Sequence, residues 1–161
     1  MKRDLETFTN RLGRTNSLQD WYRARNPLRV VWNFVIITLA KYCPSMWFKN
    51  ILYRGLGVKI GRNVTIALEA VLDVFFPEKI RIGDNVIIGY KSTILTHEFL
   101  LREFRKGPVR IGNDVTIGAW TLILPGVTIG DGARVAAYSL VNRDVKPGEF
   151  AGGVPIRTIS R

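Results

Sequence analysis

Residues 109–141 read VRIGNDVTIGAWTLILPGVTIGDGARVAAYSLV, with a branched apolar residue at every sixth position. The members of this series are Ile111, Ile117, Ile123, Ile129, Val135 and Val141. A period of six residues fits neither a helix nor the simple alternation of a strand. It is typical of a hexapeptide β-helix, in which each group of six residues forms one flat side of a triangular coil. The repeat therefore predicts an all-β fold.

The same period extends toward the N-terminus, interrupted by two insertions. The earlier in-phase residues are Ile60, Ile66, Leu72, Ile82, Ile88 and Ile94. Three groups of six make one turn, so the series predicts four successive coils. The first insertion adds four residues to the period after Leu72, and the second adds eleven residues after Ile94. Both follow a third side, so both leave the same corner of the coil, where repeat proteins place their sites.

Length and composition limit the possible partners. A chain of 161 residues has room for one core and an appended segment. It carries 24 Lys and Arg against 13 Asp and Glu, and its formal net charge of +11 attracts anions in general. The basic residues are spread along the chain without a nucleic-acid-binding motif, so we expect no nucleic-acid partner. The one cysteine, Cys43, permits no intrachain disulfide, and with one histidine no metal site is expected.

The segment 25–56 differs in character from the repeats. Its run Val30–Ala40 is apolar except for two polar residues and is too short to span a bilayer. Pro27 suits a helix start and Pro44 a helix end. The basic and aromatic residues around the run are compatible with an interfacial membrane helix. They are equally compatible with a helix packed on the β-helix or on a neighbouring subunit, and that alternative would bury Val31, Phe34, Val35 and Leu39.

The C-terminal half carries a family resemblance. Residues 111–159, IGNDVTIGAWTLILPGVTIGDGARVAAYSLVNRDVKPGEFAGGVPIRTI, resemble the hexapeptide-repeat acyltransferases, in particular the maltose/galactoside O-acetyltransferase branch. The likeness implies a left-handed parallel β-helix over 58–161 with an inserted loop at about 97–108 and a C-terminal tail loop. An N-terminal helical segment would occupy 1–57. The resemblance also implies a homotrimer with the cofactor between neighbouring subunits.

His97, the one histidine of the chain, lies where the second insertion begins. In the family, a histidine at this break is the catalytic base, so the resemblance assigns that role to His97. A sugar hydroxyl is a poor nucleophile until a neighbouring group takes its proton, and imidazole is suited to that near neutral pH. The family usually has a longer loop that begins Gly-His-Pro, whereas Thr96 and Glu98 flank the histidine here. Glu98 is therefore expected either to orient His97 or to bind the acceptor.

The resemblance also implies a site for acetyl-CoA. Ala119 matches a small residue whose backbone N–H stabilises the oxyanion, and Ala137 matches a small residue beside the pantetheine arm. Arg157 matches a basic residue near the phosphates, which suit a guanidinium group. The remaining matches are the polar pair Asn142 and Arg143 and the tail-loop residues Gly152, Gly153 and Pro155. Thr116 stands where the family commonly has Trp.

An early coil offers a candidate residue for binding the acceptor. Asp73 is a candidate acceptor-binding residue in an early coil, although Phe75 and Phe76 make its surroundings apolar. We predict an acetyl-CoA-dependent O-acetyltransferase that acts on a hydroxyl of a sugar or cell-envelope glycan. The expected location is cytoplasmic, with peripheral contact at the inner face of the membrane as an option. The alternative is a non-catalytic β-helix scaffold or binding protein. The zinc carbonic anhydrases of this fold are set aside because they need three histidines and this chain has one.

Overall fold

The computed structural model describes residues 3–9 and 16–160, and a three-sided parallel β-helix forms most of the structure. The helices are α1 (Trp21–Ala24), α2 (Pro27–Tyr42) and α3 (Met46–Gly55). The strands are β1 (Glu6–Thr9), β2 (Lys59–Ile60), β3 (Thr65–Ile66), β4 (Val71–Leu72), β5 (Ile80–Ile82), β6 (Ile87–Ile88), β7 (Thr93–Ile94), β8 (His97–Phe99), β9 (Glu103–Lys106), β10 (Val109–Ile111), β11 (Thr116–Ile117), β12 (Leu122–Ile123), β13 (Thr128–Ile129), β14 (Arg134–Val135), β15 (Leu140–Val141), β16 (Phe150–Gly152) and β17 (Arg157–Thr158).

The six-residue period corresponds to the sides of the coil, as predicted. The first side contains β2, β5, β10 and β13, the second contains β3, β6, β11 and β14, and the third contains β4, β7, β12 and β15. The register pairs residues of the predicted series with one another, for example Ile66 with Ile88 and Ile88 with Ile117. These side chains are buried, because a single coil has no core and each inward residue must pack on the coils above and below it.

The two insertions leave the third side at the predicted corner. The first follows β4 and includes a short 3₁₀ helix, Pro77–Lys79. The second follows β7 and forms an antiparallel hairpin of β8 and β9. The N-terminal strand β1 pairs antiparallel with β9 and extends this hairpin to three strands. The helical segment expected over 1–57 therefore contains a strand as well as helices.

The helices α2 and α3 cover the open end of the first coil. Three polar side chains of α3 donate hydrogen bonds to its carbonyl groups: Lys49 Nζ to Ala67 at 3.0 Å, Asn50 Nδ2 to Val64 at 2.8 Å, and Tyr53 Oη to Ala70 at 3.2 Å. Asn33 of α2 likewise donates to the Val74 carbonyl at 2.7 Å. A terminal coil without such a cap would leave polar backbone groups without partners in an apolar setting.

Helix α2 begins and ends where Pro27 and Pro44 predict. Asn26 caps the N-terminus by accepting from the Leu28 N–H, Pro27 is the first helical residue, and the helix ends shortly before Pro44. Helix α2 packs on the first coil, but not through the residues that were expected to be buried. The buried residues of α2 are Asn33, Ile37 and Ala40. Val31, Phe34, Val35 and Leu39 are exposed in the single chain, so they do not pack on the β-helix. Their burial against a neighbouring subunit stays a prediction.

Candidate active site

The first insertion begins with a buried carboxylate. The Asp73 side chain is 0% exposed. Its Oδ1 accepts hydrogen bonds from the backbone N–H groups of Phe75 and Phe76, both at 2.8 Å, and its Oδ2 accepts from the Thr96 N–H at 2.7 Å. The turn after β4 and the segment after β7 thus hold this carboxylate in one position. Such burial is at odds with the predicted contact between Asp73 and an acceptor.

His97 provides a further hydrogen-bonding contact to Asp73. Its Nδ1 lies 2.6 Å from Asp73 Oδ2, and the side chain of His97 is 16% exposed. Leu72 and Ile94 pair in adjacent coils, so the residues that follow them lie close together at one corner. The two insertions therefore meet through this histidine–aspartate pair.

The protonation of the pair follows from the surroundings of Asp73. Burial favours a raised pKa, but the hydrogen bond and charge of His97 and the N–H groups of Phe76 and Thr96 bring the pKa of Asp73 below its ordinary value. Asp73 is therefore a carboxylate near neutral pH and can only accept hydrogen bonds. Nδ1 of His97 must donate to it, so the lone pair of the neutral ring is on Nε2.

Aromatic rings surround the imidazole. The Phe75 ring centroid lies 4.5 Å from that of His97, and the Phe99 centroid lies 5.2 Å away. The Phe76 and Phe104 rings follow, each at 6.3 Å. Packing against these rings positions the imidazole in addition to its hydrogen bond with Asp73.

Glu98 does not orient the imidazole. It forms an ion pair with Arg3, whose guanidinium nitrogens lie 2.7 and 3.3 Å from its carboxylate oxygens. The orienting role that the sequence left open for Glu98 is taken by Asp73. Contact between Glu98 and an acceptor stays a prediction.

The predicted cofactor residues Ala119 and Ala137 lie one coil apart at the corner between the second and third sides. The backbones approach closely there, since a Cβ on Gly118 would lie 2.3 Å from the Ala137 nitrogen. Among the described residues, the Ala119 N–H has no hydrogen-bond partner. This corner is not the corner that carries His97.

A row of exposed aromatic rings marks the same corner. Trp120 stacks on Tyr138 with centroids 5.7 Å apart and planes 6° apart, and Tyr90 packs edge-on against Trp120 at 6.3 Å. Trp120 and Tyr138 have φ of 60° and 56°, a conformation uncommon for bulky side chains. These rings were not among the predicted site residues, although Trp120 and Tyr138 directly follow Ala119 and Ala137 in the sequence.

The tail loop borders the last coil. Gly152 is buried, and a Cβ there would lie 2.7 Å from the Ala136 Cβ, while Gly153 has a φ of 98° that favours glycine. Pro155 is exposed. Packing and backbone geometry thus account for the two glycines, and their contact with a cofactor stays a prediction.

Asn142, Arg143 and Arg157, which were predicted to contact the cofactor, differ in whether their side chains already bind other groups of the chain. Arg143 donates to Glu149 Oε1 at 2.9 Å and to the Asp144 carbonyl at 2.7 Å, so its charge is already used within the chain. This pairing argues against a direct role for Arg143 at the phosphates. Arg157 and Asn142 are exposed and form no side-chain hydrogen bond or ion pair with the described residues.

The Arg143–Glu149 pair lines a surface cavity of about 380 Å³ together with Asp144, Lys146 and Thr158. The hydrogen bond from Arg143 outweighs partial burial and, with those from Thr158 and the Lys146 N–H, lowers the pKa of Glu149 to about 2. Arg143 and Thr158 both bind Glu149, so this group joins the turn that precedes β16 to the strand β17. Among residues 3–9 and 16–160, no group of three His, Cys, Asp or Glu side chains could hold a metal ion.

Comparison with known proteins identifies the family. The family model for the bacterial transferase hexapeptide (six repeats) matches residues 108–143. YvoF of Bacillus subtilis (strain 168), named as an acetyltransferase, is 52% identical over 145 residues, which are 89% of this chain and 84% of YvoF. The chain belongs to the hexapeptide-repeat acetyltransferases. The left-handed parallel β-helix expected from the resemblance is confirmed with this membership.

Solved structures of hexapeptide-repeat acetyltransferases share the architecture. A hexapeptide-repeat acetyltransferase of Vibrio cholerae, in complex with acetyl-CoA, has a TM-score of 0.68 and 28% identity; the alignment covers 80% of this chain and 84% of that one. A galactoside acetyltransferase in complex with coenzyme A has a TM-score of 0.67 and 26% identity, with 84% and 81% covered. The predicted resemblance to the galactoside branch is thus confirmed.

Proposed function

We propose that the protein transfers the acetyl group of acetyl-CoA to a hydroxyl of a sugar or glycan, with His97 as the general base. The observation that carries this proposal is the 2.6 Å contact of His97 Nδ1 with the buried Asp73 carboxylate. It leaves Nε2 of the neutral ring unprotonated, which is the state a base requires. Coenzyme A in the related solved structures supports the same donor here.

The chain's residues have distinct tasks in this reaction. Nε2 of His97 takes the proton of the acceptor hydroxyl as its oxygen attacks the thioester carbonyl, and the imidazolium returns that proton to the leaving sulfur. The negative charge of Asp73 stabilises the imidazolium while it exists, as a carboxylate partner does in other histidine-dependent transferases and hydrolases. Asp73 is a positioning residue in this scheme and touches neither substrate.

The donor is proposed to lie along the corner that carries Ala119 and Ala137. Small side chains keep this edge open, and the unpaired Ala119 N–H is suited to stabilise the oxyanion. The exposed Arg157 offers forked donors to the phosphates. Asn142 and the loop of Gly152, Gly153 and Pro155 are proposed to border the cofactor.

The positions of His97 and the Ala119 N–H support a site that is shared between subunits. His97 follows the third side of the coil, whereas Ala119 lies before the third side of the next coil. One side of six extended residues spans roughly 20 Å, which is too far for one chain to bring the Ala119 N–H and His97 to the same carbonyl. A closed ring of subunits can bring one chain's His97 to its neighbour's Ala119. We therefore propose the homotrimer that the family resemblance implies.

The acceptor site is proposed to lie above His97 within the aromatic rings of Phe75 and Phe99. Their flat apolar faces suit the C–H face of a sugar ring. A contact between an acceptor hydroxyl and Glu98 would have to replace part of the ion pair of Glu98 with Arg3. Asp73 is not available for that contact because its oxygens are occupied within the chain.

An acceptor screen with acetyl-labelled acetyl-CoA tests this function. The panel comprises free sugars, lipid-linked glycans and cell-envelope polymers, with serine and an amino sugar as acceptors of other types. Label transferred to a glycan hydroxyl by the wild-type protein, and not by His97→Ala, is the expected result. The non-catalytic alternative predicts no transfer to any acceptor and no thermal shift with coenzyme A. Transfer by both proteins alike would show that His97 is not the base.

A further inference from the structure

The helix α2 is apolar on two opposite faces. One face packs on the first coil through Ile37 and Ala40. Along the other face, apolar and aromatic side chains recur at helical spacing; they are Leu28, Val31, Trp32, Val35, Leu39 and Tyr42. All are exposed, with Leu28 at 81% and Leu39 at 58%. A surface helix of a protein surrounded by water normally presents polar residues on this side.

The helix α3 has an inverted pattern. Its buried residues are the polar Lys49, Asn50 and Tyr53, which bind carbonyl groups of the first coil. Its exposed large side chains are apolar or aromatic: Met46, Trp47, Phe48 and Ile51. Because the polar residues are used inward, the outward face is suited to an apolar medium. The two helices pack on each other, so they form one surface, which we name the α2–α3 surface.

The chain segment that forms the α2–α3 surface is basic. Residues 21–56 contain six Lys and Arg and no Asp or Glu. Arg29 and Arg54 are exposed, while Arg25 pairs with Glu78 and Arg23 lies 3.9 Å from Asp20. Like charges would meet if two copies faced each other through this segment, whereas anionic headgroups would find complementary charge.

We propose that the α2–α3 surface docks on an anionic lipid bilayer and lies in its interface. Trp32 and Trp47 lie on the apolar side, as aromatic residues do at membrane–water boundaries. Among the described residues, no helix has the length and hydropathy needed to cross a bilayer. Docking would hold the open end of the β-helix, which the helices cover, toward the lipid.

Co-sedimentation with vesicles tests this proposal on the full-length protein. One set of vesicles contains phosphatidylcholine only, and the other contains phosphatidylglycerol as about a third of the lipid. At low salt we expect the protein to pellet with the anionic vesicles, with a blue shift of tryptophan fluorescence. Binding should fall by roughly tenfold or more as salt rises to about 0.5 M, because the headgroup charge is screened. Protein left in the supernatant with excess anionic vesicles at low salt would overturn the proposal.

A pair of matched variants separates docking from a general effect of charge. Trp47→Glu changes a side chain that is 73% exposed, and Leu101→Glu changes one that is 71% exposed in the β8–β9 hairpin. The first should abolish pelleting, and the second should pellet like wild type. Equal loss in both variants would contradict a specific surface. Oligomer mass from light scattering is measured alongside: if Trp47→Glu lowers the mass and wild type ignores vesicles, a second copy covers this surface and the proposal fails.

Discussion

His97 Nδ1 lies 2.6 Å from Asp73 Oδ2, and this contact joins the two insertions that interrupt the hexapeptide repeat. Asp73 starts the first insertion and His97 lies at the start of the second, one coil later. The regular coils fix the distance between the two points of departure, since Leu72 and Ile94 pair directly. The scaffold thereby sets the geometry of the pair without help from the loop tips.

Removal of the imidazole should stop transfer while leaving the fold in place. We expect His97→Ala to lower kcat by about 10²–10⁴-fold, the usual scale for a general base. The repeat columns do not include His97, so the far-ultraviolet circular dichroism should match wild type. Leu101→Ala in the same hairpin is the control and should keep wild-type kcat. Wild-type turnover in His97→Ala would remove the base from the scheme.

Arg157 should act on donor binding more than on chemistry. Arg157→Ala removes a charge-assisted contact worth about 1.5–3 kcal/mol, so we expect the KM for acetyl-CoA to rise by roughly one to two decades. Lys59→Ala, at an exposed basic position in the first coil, is the matched control for net charge. Equal KM values in the two variants would show that Arg157 does not meet the phosphates.

A shared active site predicts complementation between two inactive variants. His97→Ala lacks the base, and Ala137→Trp blocks the open corner at an exposed position. If His97 of one subunit works with the corner of its neighbour, trimers formed from both variants contain some intact sites. Co-expression should therefore restore part of the activity, measured against each variant alone. No recovery in mixed trimers of verified composition would indicate a site built within one chain.

The Glu149–Arg143 pair should make stability depend on pH in acid. The pKa of Glu149 is lowered to about 2 from 4.5, so its contribution is fully present above pH 4.5 and is lost as pH falls toward 2. Glu149→Gln should reduce the free energy of unfolding at neutral pH by about 1–3 kcal/mol. Denaturant unfolding of both proteins should show this difference shrinking in acid. A difference that is constant with pH would rule out the charge as its cause.

The periodicity was sufficient to predict the coils because each inward residue repeats one physical requirement. Ile111, Ile117 and Ile123 occupy one coil in the register that their spacing predicts. The common corner of both insertions was predictable for the same reason. The N-terminal strand β1 was not, because it pairs with β9 across a sequence distance that no local pattern encodes.

The site was predicted in part. His97 was singled out at its insertion, but Asp73 was assigned to the acceptor, and Glu98 alone was considered as the residue that orients the imidazole. The proximity of Asp73 and His97 follows from the pairing of Leu72 with Ile94 in adjacent coils. The ion pair of Glu98 with Arg3 was not predictable, because the two residues are 95 positions apart in the sequence. The engagement of Arg143 by Glu149 likewise depends on the tail turn, which the repeat pattern does not describe.

The protonation state of His97 tests the central claim most directly, namely that Asp73 keeps Nε2 free to take a proton. The chain has one histidine, so its imidazole nitrogens give unambiguous ¹⁵N NMR signals. For neutral His97 we predict the tautomer with the proton on Nδ1 and the lone pair on Nε2. In Asp73→Asn that preference should be lost and kcat should fall by about 10²–10⁴-fold, with little change in the KM for acetyl-CoA. A wild-type ring that carries its proton on Nε2 would contradict the account.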